Sequence, residues 1–213
     1  MKKQSPRDDI IFKEYKKDNS FIKENWSDIY AILMDKESLI HVEGIDVFEK
    51  YTVEKYSKEC DEFVSNNGAI FFICSKIFEN RIIGIITLSN FYNKNWNKTN
   101  RKPGSLLIYY IHPEFRGIGY GKKSILALIH IFNNKENVTK IRANVFSMNE
   151  TSLNLLLKCG FTIVGIATEV LTYKNKNYDF ITLEYSKNLR SSELKKRLAR
   201  YLKLNSYMMN YWK

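Results

Sequence analysis

The sequence predicts an α/β (α+β) fold whose elements run in the order ααββ, β, α, β, α, ββ. Three observations carry that reading. The apolar, β-branched and aromatic run SLLIYYI at 105–111 reads as a strand, bounded by Pro103-Gly104 before it and Pro113 after it. Apolar residues at helical spacing fill 124–132, so Gly117, Gly119 and Gly121 fall between a strand and a helix. Downstream, an alternating strand at 138–146 is followed by a helix at 149–158 that Gly160 stops.

Taken in order, residues 10–23 are polar with scattered aromatics and receive no element. Trp26, Ile29, Tyr30 and Leu33 recur at i, i+3, i+4 and i+7, with Ser27 and Asp28 near the start, which predicts a helix over 24–34. A second helix, over 52–64, ends at Asn66-Asn67-Gly68. Between them, residues 40–51 form a loop or short helix placed to line a substrate pocket. Residues 69–74 and 81–88 are apolar and β-rich around a short polar turn, an antiparallel hairpin. The polar stretch 90–102, with three aromatics, is a surface loop. Strands over 161–167, 170–173 and 179–185 complete the chain's globular part.

The glycine turn carries the chemistry. The first turn of a helix presents unpaired backbone N–H groups and the positive end of its dipole. Three glycines there leave a pyrophosphate free to lie against several N–H groups, with Arg116 and Lys122 adding positive charge. The spacing excludes a phosphate-binding loop of the GxxxxGK[ST] kind, and the third glycine comes one residue early for GxGxxG.

Composition bounds the rest. A chain of 213 residues with 44% hydrophobic residues holds one well-buried domain. The start, MKKQSPRDD, has no apolar stretch behind it, and no run approaches the ~18 apolar residues of a membrane span. A soluble, cytoplasmic protein is expected. Cys60, Cys74 and Cys159 are an odd, widely spaced set without CxxC, and the three histidines are scattered, which argues against a disulfide framework and a zinc site. The formal net charge is +11, and residues 187–213 hold eight Lys or Arg against Glu193 alone. That tail reads as a basic amphipathic helix, with Leu194, Leu198, Tyr201 and Leu202 on one face. Its apolar stripe is expected to pack on the domain or on a second subunit, ahead of a ribosome, RNA or membrane contact.

The stretch IHPEFRGIGYG at 111–121 resembles the acetyl-CoA-binding motif of the GCN5-related N-acetyltransferase (GNAT) superfamily, whose core Q/RxxGxG/A is met by Arg116, Gly119 and Gly121. Asn149 to Ser152 followed by LKCGF at 157–161 is similar to its second motif, NxxAxxLYxKxGF. The resemblance covers roughly residues 24–186, with 1–23 as an N-terminal extension and 187–213 as the basic C-terminal helix. It implies a mixed central sheet flanked by helices, with a splayed strand pair that admits the pantetheine arm of acetyl-CoA. It further implies that the backbone of Tyr109, Tyr110 and Ile111 bonds the arm, that Arg116, Gly117, Ile118, Gly119, Tyr120, Gly121 and Lys122 hold the pyrophosphate, and that Asn149 contacts the arm.

The catalytic residues are less regular. The Tyr that often protonates the leaving thiolate in this superfamily falls at Leu156. The pattern resembles instead the ribosomal-protein and polyamine acetyltransferase branch, in which a Ser at the position of Ser152 can serve; Ser152 equally reads as a capping or packing hydroxyl. Leu106 and Leu107 stand where a Glu is often found. The general base is then Glu169, or a water relayed by Tyr109 or Tyr110, with Glu169 as a solvated strand residue the plain alternative. His112 and Glu114 read as turn chemistry. The implied function is acetyl transfer from acetyl-CoA to a primary amine by direct attack. The acceptor is a protein N-terminus, an amino sugar or another small amine, and a homodimer is compatible. The alternative is a non-catalytic, CoA-binding or RNA-associated module of the same fold.

Overall fold

The computed structural model describes residues 9–43, 51–90, 104–134 and 140–186. The expected loop at 90–102 beyond Asn90, residues 44–50 and the basic tail 187–213 lie outside the described residues.

Among the described residues seven strands form one sheet: β1 (Ile10–Glu14), β2 (Ala69–Ser75), β3 (Ile82–Asn90), β4 (Gly104–Ile111), β5 (Lys140–Phe146), β6 (Thr162–Tyr173) and β7 (Lys176–Ser186). Their spatial order is β1-β2-β3-β4-β5-β7-β6, antiparallel everywhere except between β4 and β5. The sheet is therefore mixed, as expected. Helices α1 (Asn19–Glu24), α2 (Trp26–Leu33), α3 (Lys36–Glu43) and α4 (Val53–Ser65) precede β2; α5 (Tyr120–Asn133) and α6 (Glu150–Lys158) flank β5 in sequence.

Two apolar layers sandwich the sheet. On one face Ile125, Leu128, Ile129 and Phe132 of α5 and Leu153 and Leu156 of α6 pack on Ile83, Ile86, Leu107, Ile141 and Leu183. On the other, Ile22, Ile29, Ile32, Tyr56 and Cys60 of α1, α2 and α4 pack on Ile70, Phe72, Cys74, Ile82 and Ile85. Central strands buried on both faces read as continuous apolar runs, which is why β2 and β3 are legible as strands without alternation. A bulge between Ile73 and Cys74 lets Ile82 and Ile85 share one face while Ile83 and Ile86 share the other.

The N-terminal segment departs from the expectation. Residues 10–14 pair with β2, and Ile10, Tyr15 and Ile22 are buried, so this part of the supposed extension belongs to the domain's core. A five-residue edge strand and a one-and-a-half-turn helix are too short for periodicity to reveal. Asp18 caps α1 by accepting from the Ser20 N–H. The helix expected over 24–34 is α2, Trp26–Leu33; just before it the Asn25 side-chain amide donates to the Phe21 carbonyl and closes α1. The two strands expected over 161–173 are one strand, β6, with residues 168–170 bulged out between Ala167 and Leu171.

Candidate active site

β4 and β5 part company partway along. They pair from Gly104↔Lys140 to Leu107↔Ala143, and beyond that each follows its other neighbour: β4 stays on β3 as far as Ile111, β5 stays on β7 as far as Phe146. The β4–β5 ladder consequently ends at Leu107↔Ala143, and beyond it the two strands open into a gap. The opening is a cavity of about 480 Å³, walled by both strands, by the glycine turn, by the start of α6 and by Glu37, Ser38 and His41 of α3. This is the splayed pair that the motifs imply.

The turn after β4 is built locally. The His112 side chain accepts the Glu114 N–H through Nδ1 at 3.2 Å and starts a short 3-10 turn over Pro113–Phe115. His112 is buried, and burial pushes its pKa down, so the imidazole is a neutral acceptor there. His112 and Glu114 are thus turn chemistry. Gly117 and Gly119 follow with φ of 75° and 95°, conformations that L side chains rarely adopt, and no atom lies within 4 Å of where a Cβ would sit on either. α5 opens at Tyr120 with Gly119 as its cap residue and no side-chain capping bond. Its first-turn N–H groups are left for a ligand, which is what an anion cradle requires. Gly121 serves differently: a Cβ there would come 2.8 Å from Leu155 Cδ1, so its absence lets α5 and α6 approach.

Of the residues assigned to acetyl-CoA, Tyr109, Tyr110, Ile111, Arg116, Gly117, Gly119, Gly121, Lys122 and Asn149 all line the cavity, and two do not. Ile118 points its side chain to solvent, and Tyr120 is buried against Phe115 with its hydroxyl 3.3 Å from Ser75 Oγ. Only their backbones are available to the cradle. Arg116 lines the cavity but spends its guanidinium elsewhere: it donates to Asp35, to Glu37 at 3.2 Å, to Ser38 Oγ at 2.8 Å and to the Ile111 carbonyl at 3.1 Å. Burial opposes ionisation of Asp35, yet hydrogen bonds from Arg116 and Ser38 hold its carboxyl below the usual value. The arginine thereby fastens the start of α3 to the glycine turn.

At α6 the capping side chain is Asn149, whose Oδ1 accepts the Ser152 N–H at 3.0 Å. Ser152 is therefore not the cap. Its hydroxyl faces the cavity and lies 2.7 Å from the Tyr109 hydroxyl on β4. Burial pushes the Tyr109 phenol up to about 12, against a downward pull from the Ser152 bond, so it stays protonated near neutrality. Leu156 is fully buried in the layer beneath.

Glu169 is not brought to the cavity. It sits exposed at the outer point of the β6 bulge with φ of 54°, its N–H bonded to Asp179 Oδ1 at 3.0 Å. The bulge turns it away from the sheet line that the sequence assumes. Of the wall expected over residues 40–51, His41 lines the cavity, joined by Glu37 and Ser38 just before it on α3 and by Asn144 and Phe180 from β5 and β7. Nothing in the local pattern marks those two.

The model of the acetyltransferase (GNAT) family matches residues 26–161. The chain belongs to the acetyltransferase (GNAT) family. Acetyl-CoA is accordingly its donor, and the gap between β4 and β5 with the uncapped start of α5 fits such a ligand. No curated protein matches the chain in sequence. Several solved structures share the GNAT fold. An N-acetyltransferase from Staphylococcus aureus Mu50 superposes with a TM-score of 0.62 at 18% identity, covering 83% of this chain and 98% of that one. Spermidine N-acetyltransferase from Vibrio cholerae, in complex with CoA and spermine, gives 0.65 at 15%, covering 84% and 95%. The Salmonella typhimurium protein yncA, with its cofactor acetyl-CoA, gives 0.61 at 14%, covering 86% and 97%. Among the described residues, no cluster of His, Cys, Asp and Glu could hold a metal ion and no helix is long and apolar enough to cross a membrane.

Proposed function

We propose that this GNAT enzyme transfers the acetyl group of acetyl-CoA to a primary amine by direct attack within a ternary complex. The observation that carries the reading is convergence: the gap between β4 and β5, the uncapped start of α5 and the Tyr109–Ser152 hydroxyl pair all meet at one cavity. Such a cavity holds the thioester and the amine together, and proximity supplies a large part of the rate.

Direct attack is favoured because a covalent route through a thiol finds no cysteine in the cavity. Cys60, Cys74 and Cys159 are buried, burial raises each thiol pKa, with Cys60 at about 12, and none lines the cavity. The leaving sulfur falls beside the first turn of α6, where Ser152 stands. α3, held by Arg116, forms the acceptor's wall with Glu37, Ser38 and His41. The carboxylate of Glu37 is paired with Arg116, so that wall is not strongly acidic, and a protein N-terminus or amino sugar is preferred over a polycation.

The test is turnover. Acetyl-CoA is titrated calorimetrically into the protein, and thiol release is then followed with a peptide bearing a free N-terminus, an amino-sugar nucleotide and spermidine. Binding followed by amine-dependent thiol release supports the proposal. Binding without release across the panel favours the non-catalytic module, which Leu156 and the missing Glu at Leu106 and Leu107 support.

A further inference from the structure

We infer that the side chain of Tyr109, reaching across from β4, is the hydrogen-bond donor that receives the departing thiolate of CoA, with Ser152 positioning it. The inference rests on the acetyl transfer proposed above and names a residue for its hardest charge.

In that transfer the amine nitrogen bonds to the acetyl carbon, the carbon–sulfur bond breaks, and its electron pair stays on sulfur. The ammonium proton leaves to water. A thiolate is thus created in a cavity whose walls near α6 are Ala143, Val145, Leu155 and Leu156. An anion among apolar side chains is costly unless a donor already points at it. α6 provides no phenol, since residue 156 is Leu.

β4 provides one instead. Its alternate residues Leu107, Tyr109 and Ile111 belong to the layer shared with α5 and α6, so Tyr109 projects across the gap toward the start of α6. There it meets Ser152 at 2.7 Å, a distance at which either hydroxyl can donate. The division of labour follows from acidity. A phenol, ordinarily near pKa ~10, is a far stronger donor than an alkyl hydroxyl. When the phenolic hydrogen turns to sulfur, the Ser152 hydroxyl is the one left to donate to Tyr109 Oη. Ser152 is itself held in place, because its backbone N–H is capped by Asn149. The phenol, kept protonated by burial, stabilises the thiolate by hydrogen bonding and retains its proton through the cycle.

A consequence can be read without knowing the acceptor. A donor aimed at sulfur favours the charged form and lowers the thiol pKa of bound CoA. CoA is titrated calorimetrically at mildly alkaline pH in two buffers of different ionisation enthalpy, which counts the protons released, with desulfo-CoA as the control lacking the thiol. Wild type releases more protons with CoA than Tyr109→Phe does, Ser152→Ala falls between, and desulfo-CoA distinguishes none of them. With any amine that turns over, Tyr109→Phe lowers kcat by about 100-fold while acetyl-CoA affinity holds. Equal proton release from wild type and Tyr109→Phe would overturn the assignment, as would a loss in Ser152→Ala larger than that in Tyr109→Phe. Failure of folded wild type to bind CoA at all would strike the acetyltransferase reading itself.

Discussion

The Arg116 guanidinium closes on the Asp35 carboxylate, 81 residues earlier in the chain, and so joins the cofactor turn to the helix that walls the acceptor side. The motif arginine, expected to add charge at the pyrophosphate, is neutralised by Asp35 and Glu37. Arg116→Gln is expected to lower stability by about 1–2 kcal/mol, for two partly exposed ion pairs and their hydrogen bonds. It should raise the acceptor KM more than the acetyl-CoA Kd. Thermal unfolding and calorimetry check this; unchanged stability with acetyl-CoA binding lost would put the guanidinium on the pyrophosphate.

Gly119 separates backbone strain from ligand exclusion. Gly119→Ala meets no neighbour, so its cost is the left-handed conformation alone, about 1–2 kcal/mol in urea unfolding. Gly119→Glu should fold with similar stability and lose acetyl-CoA binding, because its carboxylate occupies and repels the phosphate position. Retained binding by folded Gly119→Glu would move the cradle elsewhere.

Asn149 is expected to act as a helix cap before anything else. Asn149→Ala should cost about 1 kcal/mol, and Asn149→Asp, which keeps the acceptor oxygen and suits the helix dipole, should restore it. Equal melting temperatures for wild type and Asn149→Ala would show the cap bond to be idle.

Glu184 governs the acid limit. The carboxylate is 1% exposed; burial opposes its ionisation, but Ser186, Arg142 and Lys140 outweigh that and hold its pKa below the ordinary 4.5. Because the folded-state value is depressed, ionised Glu184 contributes stability that is complete above 4.5 and is lost as pH falls toward the folded value. Urea midpoints should drop steeply below about pH 4.5 for wild type and more shallowly for Glu184→Gln, which starts from a lower plateau. Parallel curves would remove Glu184 from the acid transition.

The parts of the site legible in sequence are those made by short-range forces. Gly117 and Gly119 announce a turn between a strand and a helix, whereas the cap of α6 is Asn149 and not the Ser152 that the sequence offers for it. Longer elements such as α4, α5 and β2 also declare themselves, the helices by burial that repeats along the segment and β2 by a continuous apolar run. β1 and α1 do not, being too short to repeat.

By itself, then, the sequence determined the order of the longer strands and helices from α4 to α6, the phosphate-cradle turn, the family motifs and the vacancy left by Leu156. Tertiary structure alone decided that β4 and β5 diverge after Leu107 and Ala143, since each strand's course depends on its other neighbour in the sheet. It alone carried Glu169 outward on a bulge, turned Arg116 to Asp35, and set Tyr109 beside Ser152 across 43 residues of chain. Propensity and capping act over a few residues and are written locally. Which side chains finally meet depends on closing the sheet and docking α3 and α6 against it, and no local pattern encodes that distance.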